Sequence, residues 1–531
     1  METAPPAGSY HTDDDEKLLH KLGYAQELFR AMGGFQNFAI SFTIISVLAG
    51  ALTSYFIAFN NGGPVAVSWG WLLVGLMSTV VALAMAEIAS AFPTAGGLYY
   101  WASKLGSPAW GWFTGWFNLV GQIAVTAAIA YGLAIFGTSL FDLLFDYPNT
   151  RASIFLLFSI VMALAVIVNF ANVRVTAGLN TISAYWHMIG VVFIVAVLAI
   201  VPDDHQSVGY VFTETINNSG FSGSGWSSFM FLYVFAIGLT MAQYTITGFD
   251  ASAHMAEETH QASRAAAIGM IAAVVVSVFF GFLLVLAVTF AIPDTEGTLA
   301  AVGNAVTYIW ETSMSTRWAE VLLTVAVVAQ FFCLVASVTS ASRMMFAFSR
   351  DGAVPGHRFW RRLSSKRVPV HAVVAIGVLA WALMIPTYWN NLAGYYVGTS
   401  IAVIGLYIAF ILPVILRYRM RDRFEPGAWS LGKHYRWIDP LAIVWVVFIS
   451  IVFILPVTPA GVPGNDVPLN WNVVNYAPLT LGAAFLLFGG WYALSAKKWF
   501  KGPIRQGTEE ELEQLEQRLE DATGMRPKPV A

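Results

Sequence analysis

The sequence predicts an all-α polytopic membrane protein with twelve transmembrane helices, on three observations. Of its 531 residues, 57% are hydrophobic and only 11% charged, whereas soluble globular chains average about 25% charged. Twelve apolar stretches follow one another, each close to the ~20 residues that cross about 30 Å of hydrocarbon at 1.5 Å per residue. Finally, 26 of the 28 lysines and arginines fall on the two tails and alternate connections, and only Arg151 and Arg317 on the others. By the positive-inside rule that asymmetry places both termini in the cytoplasm. A net charge of −3 with no basic tract argues against a nucleic-acid partner.

The spans are 35–59, 65–92, 109–141, 152–170, 179–200, 226–256, 265–293, 318–348, 368–386, 392–416, 438–457 and 477–496. Residues 1–34 precede them. They are polar, with D-D-D-E at 13–16, and read as a cytoplasmic tail, disordered to Glu16, and not as a signal peptide. The stretch L-G-Y-A-Q-E-L-F-R at 22–30 reads as a short amphipathic helix lying along the membrane surface. Residues 497–531 form a second cytoplasmic tail. In it Thr508 and Glu511 make a capping box, Leu512, Leu515 and Leu519 a stripe, and Gly524 a stop. The single cysteine, Cys333, lies inside a span and reads as a packed core thiol. No cofactor or metal is expected, and no nucleophile–base pair suggests an enzyme.

Two spans look broken. Span 1 carries small and polar residues in S-V-L-A-G-A-L-T-S at 46–54. Span 6 carries glycine beside an acid in Y-T-I-T-G-F-D at 244–250. A carboxylate at mid-membrane costs about 2.5–3.5 kcal/mol on insertion scales, so it faces a cavity or a partner. Freed backbone groups survive at that depth only where they line such a cavity, and there they bind solutes. Interruptions five spans apart point to a transporter of inverted repeats. Spans 1–5 (35–200) and 6–10 (226–416) would be the repeats, with spans 11 and 12 (438–496) appended.

Four motifs carry a resemblance. They are N-F-A-I-S-F-T-I-I-S-V-L-A-G at 37–50, M-A-E-I-A-S-A-F-P-T-A-G-G-L-Y-Y-W at 85–101 with G-W-x-x-G-W at 111–116, G-F-D-A-S-A-H-M-A-E-E-T at 248–259, and S-R-M-M-F-A-F-S-R-D-G-A-V-P at 342–355. Together they resemble the amino acid–polyamine–organocation permeases, in the branch of amino acid, GABA and choline permeases, over roughly residues 20–500. The resemblance implies the leucine-transporter fold of two inverted five-helix repeats, working by alternating access. Proton-coupled relatives place a lysine where this chain has His187, in L-N-T-I-S-A-Y-W-H-M-I-G at 179–190. By that resemblance His187 is a coupling residue beside the break in span 1, and histidine suits the role because it titrates near physiological pH.

The expected function is import of an amino acid, or an amino-acid-like amine such as GABA, across the plasma membrane, coupled to protons. The substrate carboxylate would meet N–H groups near Ala49 and Gly50, at the positive end of a half-helix. Its amine would meet carbonyls near Ser46, Tyr244 and Thr247, with Tyr244 as a lid and Gln122 reading the side chain. Gly50 and Gly248 are expected to be bare so that substrate can approach. Asp250 is assigned to gating or protonation. A charge-pair gate is expected between Arg343 or Arg350 and Glu87, Glu257 or Glu258. Sodium is the rival ion, with Ser337, Thr339 and Ser340 as oxygen donors. A choline or ethanolamine carrier and a non-transporting nutrient receptor are the alternative functions.

Overall fold

The computed structural model describes residues 12–223, 225–226, 228–389, 391–464 and 466–524. Ten continuous helices in it are long and apolar enough to span a bilayer. They are Pro64–Ala91 (span 2), Pro108–Phe145 (span 3), Arg151–Val168 (span 4), Val173–Ile200 (span 5), Ala262–Phe290 (span 7), Thr316–Arg350 (span 8), Val370–Tyr388 (span 9), Gly398–Arg423 (span 10), Gly432–Ile454 (span 11) and Ala477–Trp499 (span 12). The other two spans are the broken ones. Span 1 is Gly34–Ile45 followed by Gly50–Asn60, bent by 41°. Span 6 is Phe229–Thr245, then an unwound stretch, then Ala251–His254. This is the helical polytopic architecture expected, with the two interruptions where the sequence placed them. Strand pairing among the described residues is confined to a ladder of Asn61–Gly62 with Ile216–Asn217 and a single bridge from Met32 to Thr259.

Spans 1 and 6 cross at their breaks. Ser41 Oγ donates to the Phe249 carbonyl at 2.9 Å, and Asn37 Nδ2 donates to the Ser252 carbonyl at 2.9 Å. Spans 3, 8 and 10 pack around them, and span 2 lies against span 7. The interior is a continuous apolar core, and its polar side chains cluster at the two breaks and at one end of the bundle.

That end carries both tails. The helix Thr12–Leu22 and the helix Glu509–Thr523 meet there, with His20 Nε2 2.8 Å from Glu516 Oε1. We call it the terminal face. The C-terminal helix has the capping box at Thr508 and Glu511, and Gly524 closes it with φ 65°. The N-terminal segment differs from expectation. Its helix starts at Thr12, ahead of Glu16, and residues 23–33 contain none. The stretch read as a surface helix is a buried strap. Tyr24, Ala25, Leu28, Phe29 and Met32 point into the protein. The reason is backbone pairing that hydrophobic spacing does not reveal. Ala31 N and Met32 N donate to the Glu258 carbonyl, and His260 N donates to the Met32 carbonyl. Gln26 Nε2 adds a bond to the Glu257 carbonyl at 2.7 Å.

Candidate functional site

The break in span 1 begins at Ser46, which adopts the left-handed conformation with φ 33°. Such a residue ends a helix, because the next carbonyls no longer point down its axis. The Ser46 carbonyl accepts from Ala49 N at 2.8 Å and Gly50 N at 2.9 Å. The two amides assigned to a substrate carboxylate are therefore engaged within the chain in this conformation. The freed carbonyls are met by span 8: Cys333 Sγ donates to Ile44 O at 3.2 Å and Gln330 Nε2 to Leu48 O at 3.5 Å.

His187 lies at this break. Its Nε2 is 2.7 Å from Ser46 Oγ and its Nδ1 is 2.8 Å from the Ser183 carbonyl. A carbonyl only accepts, so Nδ1 carries a hydrogen. In the neutral ring Ser46 then donates to Nε2, and in the charged ring the direction reverses. The imidazole thus contacts the residue at which span 1 turns.

Span 6 unwinds at Gly248, with φ +104°. A Cβ there would stand 2.4 Å from Ile44 Cγ2 of span 1, and one at Gly50 would stand 2.9 Å from Thr245 Cα and Oγ1. The expectation that these glycines are bare for substrate is corrected on this point: their close neighbours are the other broken helix. Gly248→Ala is expected to lower the Tm of the purified protein, at a cost of about 1–3 kcal/mol from overpacking and backbone strain. Adding Ile44→Ala should recover part of it. An unchanged Tm for the single variant would remove the packing argument.

Tyr244 separates two cavities. Toward the terminal face lies one of about 20 Å³, bounded by Ala49, Gly50, Thr245, Thr247, Gln330 and Cys333, with room for about one water. Toward the opposite face lies one of about 290 Å³, bounded by Phe56, Asn60, Asn218 and Thr240 among others. Tyr244 touches both, and its ring meets Tyr395 edge-on at 6.4 Å. Tyr395 in turn bonds Thr53 of span 1 at 3.0 Å. The Thr247 hydroxyl is turned back to the Gln243 carbonyl at 2.6 Å.

Asp250 is fully buried below the span 6 break. Its Oδ2 accepts from Gln122 Nε2 at 2.8 Å and lies 3.4 Å from Asn118 Nδ2. Gln122, expected to read a substrate side chain, thus contacts the acid. His254, one turn on, places Nε2 3.3 Å from the same oxygen, outside hydrogen-bond alignment, while its Nδ1 faces the Ala95 carbonyl at 3.0 Å. With Nδ1 donating to that carbonyl, a neutral His254 leaves its Nε2 lone pair beside the carboxylate without a hydrogen bond between them. Both residues of the pair belong to span 6, and span 3 supplies the two amide groups that face Asp250. Sequence reading found Asp250 and missed His254, although the i, i+4 spacing in D-A-S-A-H was the available signal.

The terminal face is sealed by three buried ion pairs. Arg350 binds Glu257 through two bonds of 2.8 and 3.0 Å, and Glu257 also accepts from Ala95 N at 2.9 Å. Arg343 binds Glu258 at 2.7 Å. The expected pairing of Glu87 with Arg343 or Arg350 is corrected. Its partner is Arg417 of span 10, at 2.7 Å, because the turn after span 10 folds over the end of span 2. The strap completes the seal. Tyr24 stacks on the Arg350 guanidinium at 3.8 Å and, with Tyr99, bonds the Asp351 carboxyl at 2.7 and 2.6 Å. Burial holds that carboxyl above the usual carboxylate range, even though Arg350 and the tyrosines oppose it.

For the rival ion, Ser337 Oγ pairs with Thr126 at 2.7 Å and Thr339 Oγ1 with Asn169 at 2.6 Å, while Ser340 Oγ has no partner among the described residues. Among the described residues no three His, Cys, Asp or Glu side chains gather as metal ligands.

Comparison with known proteins identifies the family. The amino acid permease family model matches residues 32–485. The chain is 37% identical to the amino-acid permease BAT1 of Arabidopsis thaliana, over 93% of this chain and 96% of that one. It is 36% identical to the rice BAT1 homolog over 93% and 96%. It is 28% identical to the GABA-specific permease of Saccharomyces cerevisiae over 92% and 86%. With its broken spans meeting under Tyr244, this multi-pass membrane protein belongs to the amino acid permease family and is a transporter, not an enzyme.

Proposed function

We propose that the chain imports an amino acid or an amino-acid-like amine such as GABA across the plasma membrane by alternating access, coupled to protons. One observation carries the reading. The two broken spans meet beneath Tyr244, with a cavity open on one face while ion pairs and the strap close the other. With both tails cytoplasmic, as the lysine and arginine distribution indicates, this conformation is the outward-facing one, its central cavity still closed. Residues 35–200 and 226–416 are the repeats, and spans 11 and 12 the additions.

The substrate carboxylate takes over the Ala49 and Gly50 amides from the Ser46 carbonyl, at the positive end of the half-helix Gly50–Asn60. The released Ser46 carbonyl and those near Tyr244 and Thr247 receive the amine, and Tyr244 closes over it. Binding of two charged ends thereby exchanges internal bonds for substrate bonds, which supports closure. The proton rides on the Asp250–His254 pair, and His187 reports its own charge to the hinge at Ser46. An inward proton is worth about 2.3 kcal/mol per 100 mV, or roughly 50-fold accumulation. Glu87, Glu257, Glu258 and Arg343 act in the inner gate.

The test is uptake by purified protein in liposomes, with labelled amino acids, GABA and choline under imposed proton or sodium gradients. Proton-driven uptake of an amino acid or GABA is expected. Uptake of choline alone, uptake driven by sodium alone, or no uptake of any compound would overturn the reading. In the same assay His187→Ala should lose accumulation across pH 5 to 8 yet retain exchange of internal for external substrate. Full proton-driven uptake by that variant would return His187 to an interhelical hydrogen bond.

A further inference from the structure

Span 11 begins with Y-R-W-I-D-P, and this places an acid, Asp439, in its first turns. The side chain is fully buried, and neither carboxylate oxygen has a hydrogen-bond partner among the described residues. Every other acid buried at this end is engaged. Glu87 is the nearest comparison: its Oε2 accepts from Arg417 Nε at 2.7 Å, and its Oε1 from Ser430 Oγ at 2.9 Å and Leu431 N at 3.0 Å.

The surroundings say what Asp439 can hold. It lies one helical turn from Tyr435, on the same face of span 11. The Tyr435 ring covers the Arg417 guanidinium at 4.1 Å, and Phe424 covers its other side at 4.3 Å. The charged groups within electrostatic reach are Arg417 of span 10 and Glu87 of span 2. Tyr435 is bonded outward to Asp422, while Arg436, Lys433 and His434 are exposed at the start of span 11. Spans 6 and 12 bring no charged residue in Phe229–Thr245 or Ala477–Trp491. Arg417 is already neutralised by Glu87. A second carboxylate beside that pair, with no donor, would be an uncompensated buried charge, which the interior does not tolerate. A hard metal ion requires several oxygen ligands, and here there is one carboxyl group. A proton needs only that one.

We propose that Asp439 is a proton-binding site linked to the Glu87–Arg417 latch: it holds a proton while the latch is closed, and ionises toward Arg417 when Glu87 lets go. The proton then leaves to water on the terminal side. The sealed state therefore binds one more proton than the opened state, so acid favours sealing and alkali favours opening, by up to tenfold per pH unit. This bears on coupling in the proposed transport cycle, but its test needs no substrate, so the two can fail separately.

The test is hydrogen exchange of the full-length protein in nanodiscs, read by mass spectrometry over residues 427–432. There Leu431 N is held by Glu87, Trp429 N by Ser90 Oγ and Ala428 N by Ser263 Oγ. After correction for intrinsic rates, protection in the wild type should fall as pH rises from 5 to 8, by up to tenfold per unit. In Asp439→Asn, which cannot lose a proton, it should be high and independent of pH. Asp439→Leu is the second variant and should be flat as well, because a neutral, unbonded carboxyl is replaceable by an apolar group. A wild-type slope retained in Asp439→Asn overturns the assignment. So does loss of the fold in both variants, which would mean that the carboxyl has a structural partner. Replacing sodium by potassium at fixed pH should change nothing; a sodium effect lost in Asp439→Asn would make sodium the ligand and overturn the proton.

Discussion

Glu257→Ala is expected to unseal the terminal face. The substitution leaves the Arg350 guanidinium buried with the Tyr24 ring and a distant Glu27 oxygen, 4.0 Å away, for company. It also orphans Ala95 N. Removing one partner of a buried ion pair costs about 3–5 kcal/mol. That cost falls on the sealed conformation alone, because in the opened one Arg350 meets water. The sealed–open equilibrium should shift roughly 10²- to 10³-fold toward open, since 1.4 kcal/mol is tenfold. The chain supplies its own reporter. Cys333 is its single cysteine and borders the small central cavity. A membrane-impermeant maleimide applied from the terminal side should label Cys333 slowly in the wild type and much faster in Glu257→Ala. Glu257→Ala combined with Arg350→Ala removes the stranded charge as well as the pair, so labelling should fall back part of the way. Wild-type labelling in a folded Glu257→Ala protein would mean that the ion pair does not hold the gate.

What the sequence made legible was what is local. Span lengths, the breaks at 46–50 and 246–250, and the capped tail helix each depend on residues within a few positions of one another. The acids and arginines of the gate were visible as charges next to membrane ends. Which acid meets which arginine was left open, because pairing is set by how distant segments fold over each other. Glu87 meets Arg417 across 330 positions, through a turn whose course no periodicity encodes. The strap at 23–33 was misread for a related reason. Its apolar residues at 24, 25, 28, 29 and 32 fit a helical stripe, but the backbone instead runs beside 258–260 and hides those side chains in the bundle. A close approach at Gly50 and Gly248 was expected, and in this conformation it is the other broken helix that makes it. A sequence shows that Cβ is missing, not whether a ligand or Ile44 takes the space. His254 and Asp439 went unremarked because a lone histidine or acid near a helix end has many ordinary uses. Only the carbonyl on one side of His254, and the lack of any donor around Asp439, set them apart.

Asp250→Asn should abolish coupled accumulation in a protein that still folds. The asparagine oxygen, placed where Oδ2 stands, can accept from Gln122 and Asn118 as the carboxylate does, so the bonds seen at Asp250 are kept. What is lost is the ionisable carboxyl group itself, the proposed place for an exchangeable proton. Asp250→Ala is different. It strands Gln122, Asn118 and His254 together in the core, at about 1–3 kcal/mol for each unmet group, and a large fall in Tm is expected. Activity lost with stability kept, in the asparagine variant alone, therefore separates proton handling from packing. In liposomes under an inward proton gradient, uptake by Asp250→Asn should drop 100-fold or more, and substrate entry should no longer acidify the lumen. Counterflow at equal pH should survive better, because the groups assigned to substrate on spans 1 and 6 are untouched. If Asp250→Asn accumulates substrate and acidifies the lumen as the wild type does, the Asp250–His254 pair is a structural contact, and the proton path must run elsewhere.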